Sequence, residues 1–125
     1  MFFGEYTYLT DKKKGIPIPP KFLKELGGVG AEVIVAKCSD GCIYLCPSEN
    51  WAKVKKELDE SPYTEVIQIN SKGKISLSPN LREHAGLKRR VMVVGCGDHI
   101  EFWDNERWTV AEREAEKEKI AVLGE

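Results

Sequence analysis

The sequence has no long apolar run, no cysteine pair at the C-x-x-C spacing and no large excess of charge of one sign. A helix that crosses a bilayer needs about 18 or more mostly apolar residues, and no stretch here approaches that length. The first residues, Met1 to Glu5, also lack the basic start and the apolar middle of a signal peptide. We therefore expect a cytosolic protein with no membrane partner.

Signals of catalysis are sparse as well. The chain has two histidines, His84 and His99, which we expect in a short helix and a hairpin. No serine or cysteine has a recognisable nucleophile setting, and no glycine-rich loop has the spacing that cradles phosphates. The sequence therefore predicts no enzyme, no cofactor and no small-molecule substrate.

The four cysteines allow two interpretations. Cys38, Cys42 and Cys46 recur every four residues, but this stretch is predicted to be a hairpin, with Cys42 and Cys46 on one face and Cys38 across the turn. Cys96 occupies the equivalent turn of the second half. A zinc site is one interpretation, and buried thiols in a reducing cytosol are the favoured one. Their role stays open at this point.

The charges are unevenly distributed, although the net charge is only −1. Residues 70–90 contain six basic residues against one acidic residue, whereas residues 98–125 contain nine acidic residues against four basic ones. A length of 125 residues and an apolar content of 42% suit one compact domain rather than a disordered chain. One region of that domain can face a polyanion while another stays away from it.

The chain repeats itself. Residues 10–28 align with residues 69–87 at an offset of fifty-nine positions, and residues 33–51 align with residues 91–108. The matched pairs include Ile16 with Ile75, Ile18 with Leu77, Pro20 with Pro79 and Gly27 with Gly86. We therefore interpret residues 1–60 and 64–125 as two repeats of one compact fold.

The same order of elements is predicted in each repeat. Alternating or β-branched runs predict strands over residues 5–9, 16–18, 33–37, 42–46, 65–69, 75–77, 91–94 and 99–103. The first two should form a hairpin around the turn at 11–15, and Asp40-Gly41 indicates a second hairpin. Helices should begin at Pro19-Pro20, at Ser48, at Ser78-Pro79 and after Asp104, with both serines as caps. The last helix, to about Leu123, has a narrow stripe formed by Trp108, Ala111 and Ala115 and should lie on the surface.

Several sequence blocks, in this order, resemble the bacterial MraZ proteins, whose tandem swapped-hairpin repeats are also of the kind seen in AbrB-type transition-state regulators. The resemblance covers about residues 1–110. Its blocks are MFFGEY at 1–6, Ile18-Pro19, DGCIYL at 40–45 with Trp51, LREHAGL at 81–87, and GDHIEFW at 97–103 with Trp108.

The resemblance implies both a fold and a function. The fold is a β-rich α+β domain in which two pseudo-symmetric swapped-hairpin repeats interleave into one small β-barrel with short flanking helices. The function is that of a transcriptional regulator, which binds promoter repeats in double-stranded DNA near cell-division and cell-wall genes. The resemblance also implies a ring-like homo-oligomer in the cytoplasm, associated with the nucleoid.

The predicted DNA-binding residues are the lysines of the two hairpin turns and one arginine on the following helix. These are Lys12, Lys13, Lys14, Lys72, Lys74 and, on the following helix, Arg82. Lysine suits a phosphate as a point charge, whereas arginine forks onto guanine more selectively. The run at residues 88–90 could add phosphate contacts, and solvated turns are the alternative interpretation for all of these charges.

The family pattern in each turn is an Asp, three residues and an Arg, and this chain departs from it twice. Asp11 is followed by Gly15 at the Arg position, and Asn70 is followed by Lys74. The segment between the repeats is also short. An alternative function is therefore an interaction or assembly module that has lost specific DNA recognition.

Overall fold

A computed structural model describes residues 1–11, 15–58 and 62–123. The elements of the first half are β1 Phe2–Leu9, β2 Ile16–Pro17, α1 Pro20–Leu26, β3 Glu32–Cys38, β4 Cys42–Pro47 and α2 Trp51–Val54. Single 3-10 turns, Ser48–Asn50 and Lys55–Glu57, flank α2. The elements of the second half are β5 Thr64–Gln68, β6 Lys74–Ile75, α3 Pro79–Ala85, β7 Arg90–Gly97, β8 Ile100–Asp104 and α4 Asn105–Leu123.

Strands are exchanged between the two halves. Six strands form an antiparallel sheet in the order β1-β7-β8-β4-β3-β5. β1 of the first half pairs with β7 of the second along its whole length, from Phe2 opposite Gly97 to Leu9 opposite Arg90. β5 of the second half pairs in the equivalent way with β3. The two halves therefore share one sheet.

The short strands β2 and β6 form a separate two-stranded ribbon. Ile16 lies opposite Ile75 and Pro17 opposite Lys74. The amide of Ile18 donates to the carbonyl oxygen of Gly73 at 3.1 Å, which extends the pairing by one residue. The ribbon joins the segment after the first basic turn to the segment after the second.

The main core lies between one face of the sheet, the ribbon and the helices α1 and α3. Every second residue of a strand contributes to this core, because successive side chains of a strand point to opposite faces of the sheet. Its largest fully buried side chains are Phe22, Phe102, Ile43, Leu45, Ile69, Ile75, Leu81 and Ile100. The rings of Phe2 and Tyr6 on β1 meet Phe22 edge-on, with centroids 5.6 and 5.4 Å apart.

The opposite face of the sheet carries a second, smaller apolar cluster. Met92 and Val94 of β7 point into it, together with Trp103 of β8. Trp108 of α4 packs against Trp103 with ring centroids 5.6 Å apart. The strand β7 is therefore buried on both faces, and α4 covers part of the second one.

Local sequence signals set the ends of α1 and α3. Pro20 is the first helical residue of α1, and Gly27, at φ +103°, ends it in the left-handed region. Ser78 caps α3, since its Oγ accepts the amide of Leu81 at 3.3 Å, and Gly86 ends that helix. These starts and stops confirm the sequence predictions.

Two local predictions were wrong. The strands β1 and β2 do not form a hairpin with each other, since β1 pairs with β7 and β2 with β6, and an isolated bridge between Asp11 and Gly15 closes the loop between them. Ser48 is not a helix cap, because Pro47 takes that position and Ser48 begins a 3-10 turn. The helix α4 lies on the surface, as predicted, with Trp108 and Ala111 packed against the sheet and Ala115 exposed.

The strand-rich α+β class is confirmed. Closure of the strands into one interleaved barrel stays a prediction, because the six-stranded sheet ends at β1 and β5 and the β2–β6 ribbon is separate from it. The division into repeats at residues 60 and 64 likewise stays an interpretation. Within the described chain, no helix combines the length and the apolar character that crossing a membrane requires.

Candidate nucleic-acid interface

The second basic turn is built around the side chain of Asn70. Its Oδ1 accepts the amides of Lys72 and Lys74 at 2.9 and 3.0 Å. Its own backbone amide donates to the carbonyl oxygen of Lys74 at 2.9 Å, and the amide of Gly73 donates to the carbonyl oxygen of Asn70 at 3.0 Å. Lys72 is exposed at the tip and Lys74 is half-buried at the base. Asn70 therefore acts as the acceptor that shapes the turn.

Gly15 ends the first basic turn and has no room for a side chain. Its φ is +80°, in the left-handed region. A Cβ there would lie 2.5 Å from the carbonyl oxygen of Ile75, across the ribbon. An arginine at this position of this chain would push the ribbon apart. The predicted residues Lys12, Lys13 and Lys14 lie outside the described residues.

The ribbon fixes how far apart the two glycines that precede its strands are, Gly15 and Gly73. Because β2 and β6 run antiparallel, Gly15 lies beyond one end of the ribbon and Gly73 beyond the other. Gly15 and Gly73 are about three rungs apart along this ladder, or roughly 10 Å at 3.3 Å per residue. That separation is comparable to the width of a DNA major groove, about 12 Å.

Arg82 faces the first turn rather than the second. It lines a cleft of about 440 Å³ together with Gly15, Ser76, Lys88 and Arg89. Its Nε is buried, and no described residue accepts its N–H. A buried guanidinium N–H beside a cleft is suited to an anion, because the group cannot lose its proton.

The loop before β7 adds two further cations to the same flank. The amide of Thr10 donates to the carbonyl oxygen of Arg89 at 2.7 Å, which ties this loop to the start of the first turn. Arg89 and Lys74 line a smaller cleft of about 220 Å³, which Thr10, Asp11, Gly15 and Pro17 also line. Lys88 makes a 3.6 Å ion pair with Glu106 of α4, and both side chains are largely exposed. Such a pair is weak and easily exchanged for a phosphate.

The structure thus brings Lys74, Arg82 and Arg89 around the base of the first turn, while Lys72 stands at the second. From the sequence, the basic run at residues 88–90 is expected only to add phosphate contacts to those of the two turns. Its three consecutive basic residues, Lys88, Arg89 and Arg90, are the sequence feature that indicates a contribution to this surface. The hydrogen bond from Thr10 to Arg89 joins positions 79 residues apart, and no local pattern reports it.

The four cysteines are free thiols and lie away from the ribbon. Cys38, Cys42 and Cys46 are buried, as expected, and Cys38 lies opposite Cys42 across the hairpin. The interaction with the thiol of Cys42 outweighs burial and lowers the pKa of Cys38 to about 7. Burial, helped by the charge of Asp98, raises the pKa of Cys46 to about 11.

The fold defines a strand-rich α+β domain whose two halves share a six-stranded antiparallel sheet and a two-stranded ribbon. Residues 63–122 match the family model described as "MraZ protein, putative antitoxin-like". A protein of Syntrophomonas wolfei named "Transcriptional regulator MraZ" is 34% identical, over 87% of this chain and 85% of its own length. Proteins of the same name from Acetivibrio thermocellus and Limosilactobacillus fermentum are 30% and 34% identical, covering 99% and 86% of this chain and 99% and 84% of their own lengths. The chain belongs to the MraZ family.

Proposed function

We propose that this protein is a transcriptional regulator that binds promoter repeats in double-stranded DNA as a homo-oligomer. Its two basic turns would contact the DNA, through Lys12, Lys13, Lys14, Lys72 and Lys74, and Arg82 would add a contact beside the first turn. The relatives named above are transcriptional regulators, which supports the class of function. The protein would act in the cytoplasm, on the nucleoid, without catalysis and without a small-molecule substrate.

The observation that carries the proposal is the convergence of cations from distant parts of the chain. Lys74 and Arg89 line one cleft, and Arg82, Lys88 and Arg89 line the neighbouring one. Arg82 offers a buried N–H for which no described residue provides an acceptor. Phosphate oxygens satisfy such donors and release counterions on binding, so these residues suit a DNA backbone.

Specific contacts would come from the turns. Asn70 holds the Lys72–Lys74 backbone by accepting two amides, so the altered family position still supports a defined turn. Lys74 replaces the arginine of the family pattern and presents one point charge instead of a planar fork. We expect a lower ratio of specific to nonspecific affinity than an arginine would give.

Oligomer formation would use the ends of the sheet. β1 and β5 end the strand order, and β1 carries the exposed apolar side chains Phe3 and Leu9. β5 carries exposed Val66. An edge strand offers unpaired backbone groups to another chain, and contacts between two different edges of successive copies generate rings. The proposed interleaved barrel would form the body of each subunit in such a ring.

The test is the salt dependence of binding to the promoter DNA upstream of the protein's own gene. We expect binding to weaken steeply as salt increases. The double variant Lys72→Ala, Lys74→Ala should lower the affinity and flatten the salt slope by up to about two charge units. Lys55→Ala, Lys56→Ala is the matched control, because both lysines are exposed on the 3-10 turn after α2. The control removes the same charge and should leave the slope unchanged.

Equal slopes for the two double variants would refute DNA contact by the second turn. Light scattering on the same samples measures the size of the oligomer and so distinguishes the proposed function from the alternative function. A protein that assembles but does not bind its upstream DNA at low salt would be an assembly module without DNA recognition.

A further inference from the structure

The tip of the β7–β8 hairpin gathers three potential metal ligands on one face. Gly97 and Asp98 form the turn, and the amide of Cys96 donates to the carbonyl oxygen of His99 at 2.9 Å, so these two residues face each other across the hairpin. Glu101 follows His99 by two positions on the strand and lies on the same face. The ligand atoms of Cys96, His99 and Glu101 all lie within 4.8 Å of one another.

The imidazole of His99 has a carboxylate at each ring nitrogen. Nδ1 lies 2.7 Å from Oδ1 of Asp98, and Nε2 lies 2.9 Å from Oε2 of Glu101. A neutral imidazole carries one N–H and one lone pair, so it cannot donate to both carboxylates. Either the ring is an imidazolium, or one of the two carboxyl groups carries the proton, or a cation replaces one of the two contacts after a small displacement of the side chains.

The neighbouring residues orient these groups in the manner of a metal site. Metal-bound histidines commonly donate their second ring N–H to a carboxylate, and Asp98 is in place to accept it at Nδ1. The indole N–H of Trp103 donates to Oε1 of Glu101 at 2.8 Å, which leaves Oε2 facing His99. The ring of Tyr44 stacks on the imidazole with centroids 4.0 Å apart.

We propose that Cys96 Sγ, His99 Nε2 and Glu101 Oε2 bind a divalent transition-metal ion of the Zn²⁺ class, with water in a fourth position. Metal–ligand bonds of about 2.0–2.3 Å place tetrahedral ligand atoms about 3.3–3.8 Å apart. The observed separations, within 4.8 Å, need only small side-chain rotations to reach that geometry.

The ligand set and the local charge identify the class of ion. A thiolate and an imidazole select zinc or a related metal over magnesium and calcium, which prefer oxygen ligands alone. Glu57 adds a third carboxylate, with Oε2 at 3.7 Å from Nδ1 of His99. The buried imidazole thus lies among Glu57, Asp98 and Glu101, and a divalent cation would balance two of the negative charges that these carboxylates and the Cys96 thiolate carry.

The test uses the full-length free protein, so its outcome does not depend on whether the protein binds DNA. Metal content after dialysis should be about one Zn²⁺ per chain. Metal-free protein titrated with Co²⁺ should develop a sulfur-to-cobalt charge-transfer band. Cys96→Ser should lose the band and most of the bound zinc, and Zn²⁺ should raise the thermal unfolding midpoint of the wild type but not of this variant.

Cys38→Ser is the matched control, because it also removes one thiol near the second apolar cluster but not a proposed ligand. It should keep the zinc and the cobalt band. Circular dichroism checks that Cys96→Ser is folded, which we expect because the side chain is only half-buried. A wild-type protein without stoichiometric zinc that also fails to develop the cobalt band would overturn the proposal, and so would a folded Cys96→Ser variant that retains both.

Discussion

The side chain of Asn70 holds the backbone of Lys74, because Oδ1 of Asn70 accepts the Lys74 amide at 3.0 Å. The same oxygen also accepts the amide of Lys72. An aspartate would offer an equivalent oxygen at this position. The departure from the family pattern at residue 70 is therefore conservative in shape, although it removes one negative charge from the turn.

We predict that Asn70→Ala loosens the second turn without changing its charge. Two amides lose their acceptor and turn to water, so the free energy of unfolding should fall by about 1 kcal/mol. Affinity for DNA should fall while the salt slope stays the same, since no cation is removed. Urea denaturation and binding titrations at several salt concentrations measure the two effects. Asn70→Asp should preserve stability, and a destabilised Asp variant would contradict this role for the oxygen.

We predict that Gly15→Arg, which restores the family spacing after Asp11, destabilises the protein. The new Cβ would lie 2.5 Å from the carbonyl oxygen of Ile75, and φ is +80°. A strained left-handed residue costs on the order of 1–3 kcal/mol, and the clash adds to this. Urea denaturation gives the size of the loss.

Lys74→Arg is the control for that substitution. It completes the pattern in the second turn at a half-buried position whose backbone pairs with Pro17 without such a clash. We expect little change in stability and a gain in specific over nonspecific DNA affinity. If Gly15→Arg were as stable as the wild type, the close approach of the ribbon would not constrain residue 15.

Local features of this fold could be predicted from the sequence, because each depends on a few adjacent residues. Asp40-Gly41 predicts the β3–β4 hairpin, and Ser78 predicts the start of α3, since turn and cap chemistry act within about four residues. The partner of β1 could not be predicted in this way. An alternating strand reveals which face is buried and not which strand it pairs with, so β1 was assigned to β2 instead of β7.

The candidate interface likewise combines local features that can be predicted from the sequence with contacts that depend on the fold. The lysines of the second turn are visible as a charged turn, and Gly15 signals positive φ. The position of Arg82 beside the first turn depends on the exchanged ribbon, and that of Arg89 depends on its hydrogen bond with Thr10. The cluster at His99 was missed because it depends on hairpin register, which places Cys96 and Glu101 on one face.

We predict that Arg107→Ala weakens the attachment of α3 and α4 to the sheet. Its Nη1 donates to the carbonyl oxygens of Gly41 at 3.2 Å and His84 at 3.0 Å, so one guanidinium joins the β3–β4 turn to the last turn of α3. Loss of these charged donors should lower the free energy of unfolding by about 1–3 kcal/mol. Arg113→Ala, on an exposed part of α4, should have little effect. Urea denaturation compares the two, and equal losses would contradict the bridging role of Arg107.

We predict that His99 makes a contribution to the stability of the metal-free protein that declines as pH rises from about 6 to about 8, within the range where histidine titrates. The thiol of Cys38, whose pKa is lowered to about 7, acts in the opposite direction over the same range, so the contribution of His99 is measured as the difference between the wild type and His99→Gln. Burial opposes the charge of His99, but hydrogen bonds to Glu101 and Asp98 outweigh it and raise the pKa of His99 above its ordinary value of 6.5. The folded state therefore binds this proton more tightly than the unfolded state. The resulting stabilisation is fully present below pH 6.5 and is lost as pH rises through the folded pKa.

Glu101, a carboxylate partner of His99, sets the acidic limit of the pH range in which these two groups stabilise the folded protein. Burial disfavours the charge of Glu101, but hydrogen bonds from His99, Trp103 and Cys96 outweigh it and lower the pKa of Glu101 below its ordinary value of 4.5. Its contribution is present above pH 4.5 and is lost as pH falls through the folded pKa. For these two groups, stability should be greatest between about pH 4.5 and 6.5. Glu57 and Asp98 also face the ring, and Tyr44 stacks on it.

Denaturation in the presence of a chelator at several pH values measures the profile. His99→Gln should be less stable than the wild type at about pH 6 and should lose most of the decline towards pH 8, since glutamine cannot hold the proton. His84→Gln is the matched control, because His84 contacts the carbonyl oxygen of Cys38 and no carboxylate in the described structure. It should keep the decline. A stability difference between the wild type and His99→Gln that grows from pH 6 to pH 8 would mean that burial, rather than the two carboxylates, governs the protonation of His99.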